Sequence, residues 1–200
     1  MIVIVDYKMG NLGSVKNMLK KIGAPSVISS DPIQIAKATK IILPGVGSFN
    51  RAMESINHLK LKEVLNEAVL INNTPILGIC LGMQLMTNSS EEGDQAGLGW
   101  IDGKCIKFRS KHLRIPHMGW NYIHVEDQIA MANGLNKESK FYFVHSYFVS
   151  LNDSSNLLFS TRYGNEFCSA FHHKNIFGVQ FHPEKSHKFG MQFLTNFINY

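Results

Sequence analysis

One stretch, Pro75-Ile-Leu-Gly-Ile-Cys80-Leu-Gly-Met-Gln84, constrains this chain more than any other. Ile76, Leu77 and Ile79 form a short apolar run typical of a buried parallel strand, and Pro75 ends what comes before. Gly78 and Gly82 stand two residues to either side of Cys80. That is the spacing of a nucleophile elbow, a tight strand-to-helix turn that lifts one side chain above a sheet. Glycines keep so crowded a turn free of Cβ clashes. The helix expected from Leu81 to about Thr87 aims its free N–H groups at the sulfur, where they favour negative charge and can bind an oxyanion. On this segment alone, a buried structural cysteine at a glycine-rich strand end is an equally good reading.

The rest of the N-terminal half repeats one theme. Residues 2–6 read as a buried strand ending in Asp6. Leu12, Val15, Leu19 and Ile22 recur at helical spacing, with Gly23 closing the helix. A strand at 26–29 and a short helix from Pro32, capped by Asp31, come next. Lys40-Ile-Ile-Leu43 is a third strand running into Pro44-Gly-Val-Gly-Ser48, a flexible loop whose N–H groups can face a ligand. Helices over Phe49–Ile56 and Leu61–Ile71 lead into the elbow strand. Alternating strands and helices predict an α/β fold, doubly wound around a mostly parallel, flavodoxin-like central sheet. The loops at 7–13, 44–48 and 80–84 then lie at carboxyl ends of strands, where such folds bind ligands. Gly10 and Gly13 lack the G-x-G-x-x-G pattern, which argues against a nucleotide loop.

After Asn88 the pattern changes to short strands: Gly99–Ile101, Cys105–Phe108, Trp120–Val125, Phe141–Val144, Tyr147–Ser150, Leu157–Arg162 and Phe167–His172. They predict an antiparallel sheet added to the first. Asn175–Phe181 is one more buried strand. A final helix over about His187–Ile198 turns Phe189, Phe193, Leu194 and Phe197 inward. No linker or repeat divides the chain, so one domain over 1–200 is expected.

Composition removes other classes. No run approaches a membrane span, and Met1–Asp6 is too short for a signal-peptide core. Three scattered cysteines suggest no disulfide framework, which fits a reduced, cytoplasmic setting. The net charge of +5 is mostly dispersed and argues weakly against nucleic acid. Lys104, Lys107, Arg109, Lys111 and Arg114 form one basic concentration, read as a solvated hairpin or as a docking edge for an acidic partner or phosphorylated ligand. His172-His173 has no matching Cys or carboxylate spacing, so neither a metal nor an organic cofactor is expected.

The end of the last strand supplies what Cys80 lacks. His182 and Glu184 flank Pro183. In an extended segment they point the same way, so His182 can reach the sulfur with one ring nitrogen while Glu184 holds the other. That is the nucleophile–base–orienter arrangement of covalent catalysis. Separately, each has an ordinary structural reading as a turn histidine and a helix-terminal carboxylate.

These segments resemble the signatures of class I, triad-type glutamine amidotransferases: Pro75–Gln84, the Pro44-Gly-Val-Gly47 loop and Gly178-Val-Gln-Phe-His-Pro-Glu184. Asp6-Tyr-Lys-Met-Gly-Asn-Leu12, Pro116-His-Met-Gly-Trp-Asn121, Phe143-Val-His-Ser-Tyr147 and His182-Pro-Glu-Lys-Ser186 are similar to motifs of the glutaminase subunits of imidazole glycerol phosphate synthase. The resemblance implies that Cys80 attacks the glutamine amide, His182 moves the proton and Glu184 orients His182. It implies an oxyanion site at the backbone N–H groups of Leu81 and Val46, the latter after a peptide flip. It places Gly45, Gly47, Gln84, Glu92, His145, Ser146 and Tyr147 around the glutamine, with no metal. It implies a heterodimer with a (β/α)₈-barrel synthase (HisF-like) subunit, which takes the ammonia to make imidazole glycerol phosphate and AICAR in histidine biosynthesis. Asn11, Trp120 and Lys185 match partner-contact positions.

Two departures keep alternatives open. Lys8 stands where glycine is common, and His187-Lys-Phe-Gly190 is more like a paralogue that feeds a related barrel and a sugar amidotransferase in surface-polysaccharide synthesis. A stand-alone thiol hydrolase on the same fold is a third reading. A catalytically dead regulatory subunit is a fourth, opposed by the intact Cys-His-Glu set.

Overall fold

The computed structural model describes residues 1–110 and 113–200. The strands β1 (Ile2–Val5), β2 (Ser26–Ser29), β3 (Lys40–Gly45) and β4 (Ile76–Cys80) alternate with α1 (Leu12–Lys21), α2 (Pro32–Ala36), α3 (Phe49–His58) and α4 (Leu61–Asn66). A short helix, α5 (Leu81–Leu85), follows β4 directly. The later strands are β5 (Ser89–Ser90), β6 (Gly103–Lys107), β7 (His117–Tyr122), β8 (His124–Val125), β9 (Lys140–His145), β10 (Tyr147–Leu151), β11 (Leu157–Tyr163), β12 (Asn165–His173) and β13 (Ile176–Val179), and α6 (His187–Asn199) ends the chain.

The sheet runs β2-β1-β3-β4-β13-β12-β10-β6-β5, with β11 paired to β12 and β8 paired to β11. The first five strands are mutually parallel, as the αβ alternation predicts. β13 comes last in sequence but pairs with β4, matching Val179 to Ile79. This register puts the chain that leaves β13 beside the elbow. Every residue of β1, β4 and β13 is buried, consistent with a sheet covered on both faces. One core layer lies under α3 and α4. The other lies under α1 and α6, where Phe141, Phe181, Phe193 and Phe197 pack together.

The antiparallel part expected after Asn88 is built onto the main sheet, and among the described residues β7 and β9 form a separate two-stranded sheet. Several other expectations need correction. Gly99–Ile101 is not a strand: the N–H groups of Leu98, Gly99, Trp100 and Ile101 bond to carbonyls of residues 85–87 at the C-terminal end of α5. Those carbonyls lack helical partners, so the loop serves them instead of a sheet. Trp120–Val125 splits into two strands at Ile123, whose N–H bonds to Ser139. The helix expected over Leu61–Ile71 closes its last turn as a π-helix at Glu67–Ile71. The helix after Cys80 stops at Leu85, two residues short of Thr87. β13 ends at Val179, and the chain to Phe181 continues outside it. Lys111, part of the basic stretch, lies outside the described residues; Arg109 is paired with Glu91 at 3.0 Å.

The elbow is built by close approach. Cys80 sits at φ 54°, ψ −108°, a backbone region that side chains other than glycine rarely adopt. A Cβ on Gly78 would stand 2.7 Å from the Gly82 carbonyl, and one on Gly82 would collide with the Leu43 carbonyl oxygen of β3. Gly82→Ala therefore has to push α5 away from β3. It is expected to cost about 3 kcal/mol or more of stability, read as a drop in the urea midpoint. A midpoint unchanged from the parent chain would show that the contact is not tight.

Candidate active site

Three strand ends converge on Cys80. β4 carries the cysteine itself. β3 runs into Val46 and Gly47, and β9 ends in Val144 and His145. A pocket of about 310 Å³ is lined by Val46, Gly47, Cys80, Leu81, Gln84, Glu92, Pro116, Val144, His145, Ser146 and Tyr147. Of the residues expected around a glutamine, only Gly45 is outside this lining.

His182 and Glu184 meet, though not as an extended pair. Pro183–Lys185 is a 3₁₀ turn with His182 as its N-cap, because Pro183 is preset for a first helical position and cannot extend the strand. His182 Nδ1 and Glu184 Oε1 are 2.8 Å apart, with side-chain exposures of 2% and 3%. His182 Nε2 is buried and has no partner at hydrogen-bond geometry. Burial pushes the imidazole pKa down, but the nearby Cys80 sulfur and Glu184 outweigh it and raise it to about 10. The ring is therefore built to hold a proton at neutral pH. Cys80 Sγ points at the Val144 carbonyl, 3.9 Å away.

The other two thiols behave differently. Burial pushes Cys105 up to about 12 and raises Cys168 as well. Both are core thiols without a basic neighbour of the His182 kind.

The loop facing the elbow is packed from behind. Gly10 (φ 122°) approaches the Pro44 carbonyl, and Met9 Cε would lie 2.9 Å from a Cβ on Gly47, itself at φ 105°. A Cβ on Gly45 would strike the Tyr7 hydroxyl. Tyr7 is fully buried, and its hydroxyl has no hydrogen-bond partner. Lys8 takes φ 67°, the conformation for which glycine is preferred, and its ammonium bonds to Asp6 at 3.1 Å.

Other expected site residues have definite partners. Gln84 is buried and donates through Nε2 to the Tyr147 carbonyl (3.0 Å) and to Gln180 Oε1 (3.1 Å). Glu92 accepts the Phe49 N–H at 2.8 Å, capping α3 in place of Ser48 and committing one of its oxygens. His145 Nδ1 bonds to the Tyr147 carbonyl (2.8 Å), and its Nε2 lies 3.0 Å from His117 Nδ1. Burial lowers these two rings to about 3 and about 4, so both are neutral at pH 7.

On the outer face of β7, Met118, Trp120 and Tyr122 are exposed, Trp120 to 44%. Trp120 is thus a surface residue, and its ring stacks on His187 at 5.4 Å. Lys185 lies over the Tyr142 ring next to the His182 turn, and Asn11 caps α1 through Ser14 N–H. Among the described residues no group of three or more metal-ligating side chains occurs; His172 pairs with Asp127 and His173 with Asn156.

Sequence reasoning missed Tyr7 and Gln180. Gln180 did carry a signal. It is a polar residue in an apolar strand run, two positions before His182 and so on the same side.

The family model described as Glutamine amidotransferase class-I matches residues 3–199. A Methanococcus maripaludis protein named imidazole glycerol phosphate synthase subunit HisH 2 is 55% identical over 199 residues, covering 99% of this chain and 98% of that protein. A Pseudomonas aeruginosa protein of the same name is 46% identical with the same coverage. A crystal structure described as a glutamine amidotransferase matches the fold with a TM-score of 0.78 at 16% identity, covering 100% of this chain and 98% of the other.

Proposed function

This chain belongs to the class I glutamine amidotransferase family, and we propose that it is the glutaminase subunit of imidazole glycerol phosphate synthase in histidine biosynthesis, acting through Cys80, His182 and Glu184. The observation that carries this reading is the buried His182–Glu184 pair, with its unpartnered Nε2, beside a cysteine held at positive φ.

The chemistry follows from that arrangement. His182 holds the thiol proton, so Cys80 attacks the side-chain amide carbon of glutamine as a thiolate. The oxyanion meets the N–H of Leu81, which as the first residue of α5 has no intrahelical partner. The second donor is the Val46 N–H after a peptide flip, made cheap by the glycines on both sides. His182 passes its proton to the departing ammonia. Water then hydrolyses the thioester to glutamate. Gln84 has both N–H groups in use and offers only Oε1, which suits the substrate ammonium. Glu92 adds negative charge on the same side of the pocket.

The ammonia passes to a (β/α)₈-barrel cyclase subunit. The exposed Met118, Trp120 and Tyr122 stripe, with Lys185 and Asn11, supports docking around the pocket mouth. Coupling is expected to be allosteric, with barrel ligand ordering the 45–47 loop. The chain alone should release little glutamate, and the barrel with its ligand should raise release by about 100-fold. Full-speed turnover by the isolated chain would overturn the partner-dependent reading in favour of a stand-alone thiol hydrolase. Activation only by a surface-polysaccharide barrel would move it to that pathway, as the His187–Gly190 departure suggests.

A further inference from the structure

Gln180 is fully buried, yet it lies in the active site rather than in the apolar core. Its backbone is pinned by a bond from its own N–H to the Ser169 carbonyl at 2.9 Å. Its side chain lies between Gln84 and Cys80, and which end faces which follows from the acceptors around it. The Tyr147 carbonyl can only accept, so the Gln84 atom 3.0 Å away is the nitrogen. That nitrogen's second hydrogen points at Gln180, 3.1 Å away, so the Gln180 atom there has to be Oε1. Gln180 Nε2 is thereby turned toward Cys80 Sγ, at 3.7 Å.

We propose that Gln180 is the hydrogen-bond donor that holds the Cys80 sulfur, and that Gln84 and the Tyr147 carbonyl fix which end of its amide faces that sulfur. The inference rests on Cys80 being the nucleophile. An N–H aimed at sulfur is worth more to a thiolate than to a thiol, because bonds to a charged acceptor are the stronger ones. Gln84 then acts as a positioning residue through Gln180, in addition to any contact with substrate. The selection runs one way: reversing the Gln180 amide would set its NH₂ against the Gln84 NH₂ and its carbonyl against the sulfur. His145 Nδ1, also bonded to the Tyr147 carbonyl, anchors the start of the relay.

Other groups face the sulfur and share in its ionisation. His182, backed by Glu184, comes from the turn after β13. Tyr7 comes from the loop after β1, and its phenol stays neutral because burial, and then the Cys80 charge, raise its pKa. The Val144 carbonyl and the neutral His145 come from β9, and Glu92 lines the pocket from the loop after β5. None of these contacts is removed by a change at Gln180.

The test is the rate of Cys80 alkylation by iodoacetamide in the full chain from pH 5 to 10, followed by mass spectrometry without glutamine or partner. In the Gln180→Leu chain the ionisation midpoint should rise by about one pH unit, and the rate at pH values below the parent midpoint should fall about tenfold. Gln84→Leu, which leaves Gln180 in place but free to turn, should move the profile the same way. A role in packing alone would lower the melting temperature and leave the profile where it was. Profiles that coincide with the parent's for Gln180→Leu, or for Gln84→Leu if the first chain does not fold, overturn the proposal. The assay also separates this inference from the function above. A moved profile in a chain that no barrel activates would sink the pathway reading and not the donor role. An unmoved profile in an active glutaminase would do the reverse.

Discussion

Cys80→Ala should lower glutamine hydrolysis in the presence of an activating barrel by at least about 10⁴-fold while leaving a folded chain. The size of the loss follows from the absence of a substitute nucleophile. Cys105 and Cys168 are buried in the core with their pKa values raised, and neither lies in the pocket. Folding should survive because the elbow geometry is set by Gly78 and Gly82 packing on neighbouring backbone, and the sulfur's hydrogen bonds to Val144 (3.9 Å) and Gln180 (3.7 Å) are long. Alanine keeps a Cβ at φ 54°, so the strain at this residue remains. Cys80→Gly should be equally inactive and about 1 kcal/mol more stable than the alanine chain, since glycine adopts that conformation freely. Activity comes from a coupled glutamate assay and stability from urea titration. Residual turnover in Cys80→Ala above about one part in a thousand would assign the chemistry to another group.

The elbow was legible because its causes are local. Glycine two residues before and after a cysteine, at the end of an apolar run, leaves few conformations open, and the positive φ of Cys80 is one of them. The αβ alternation fixed the parallel sheet for the same reason. What could not be read depends on distant backbone. Gly99–Ile101 has strand-like residues, but free carbonyls at the C-terminal end of α5 take its N–H groups. Glu92 looks like an exposed loop acid until the N-terminus of α3, more than forty residues earlier, is seen to need it. Strand alternation predicts that His182 and Glu184 point the same way, and it fails in detail because Pro183 starts a 3₁₀ turn. The pair forms anyway, since residues two apart across such a turn still come within reach. Gln180 and Tyr7 mattered only once their neighbours were known: one bonds to the sulfur, and the other leaves a hydroxyl without a partner behind Gly45.

Glu184→Gln should lower partner-stimulated glutamine turnover by about 10²- to 10⁴-fold and change how stability depends on pH. The glutamine amide can present its NH₂ to His182 Nδ1, which selects the wrong ring tautomer, and it carries no charge to balance an imidazolium. In the parent chain the folded-state pKa of His182 is raised to about 10, above the ordinary 6.5. A raised value means that protonation favours the folded chain. The contribution is fully present below about pH 6.5 and is lost as the pH climbs toward 10. Burial, the largest single influence on this ring, acts in the opposite direction. With the Glu184 charge gone it weighs more heavily, and the pKa falls, held up by the Cys80 sulfur alone. The variant then gains less from protonation than the parent does. The parent-minus-variant stability gap should therefore be widest near pH 6 and shrink toward pH 9.5, measured by urea titration across that range. A gap that stays constant with pH would mean that Glu184 supports His182 by packing and not by charge, and the proton held on His182 would then need another explanation.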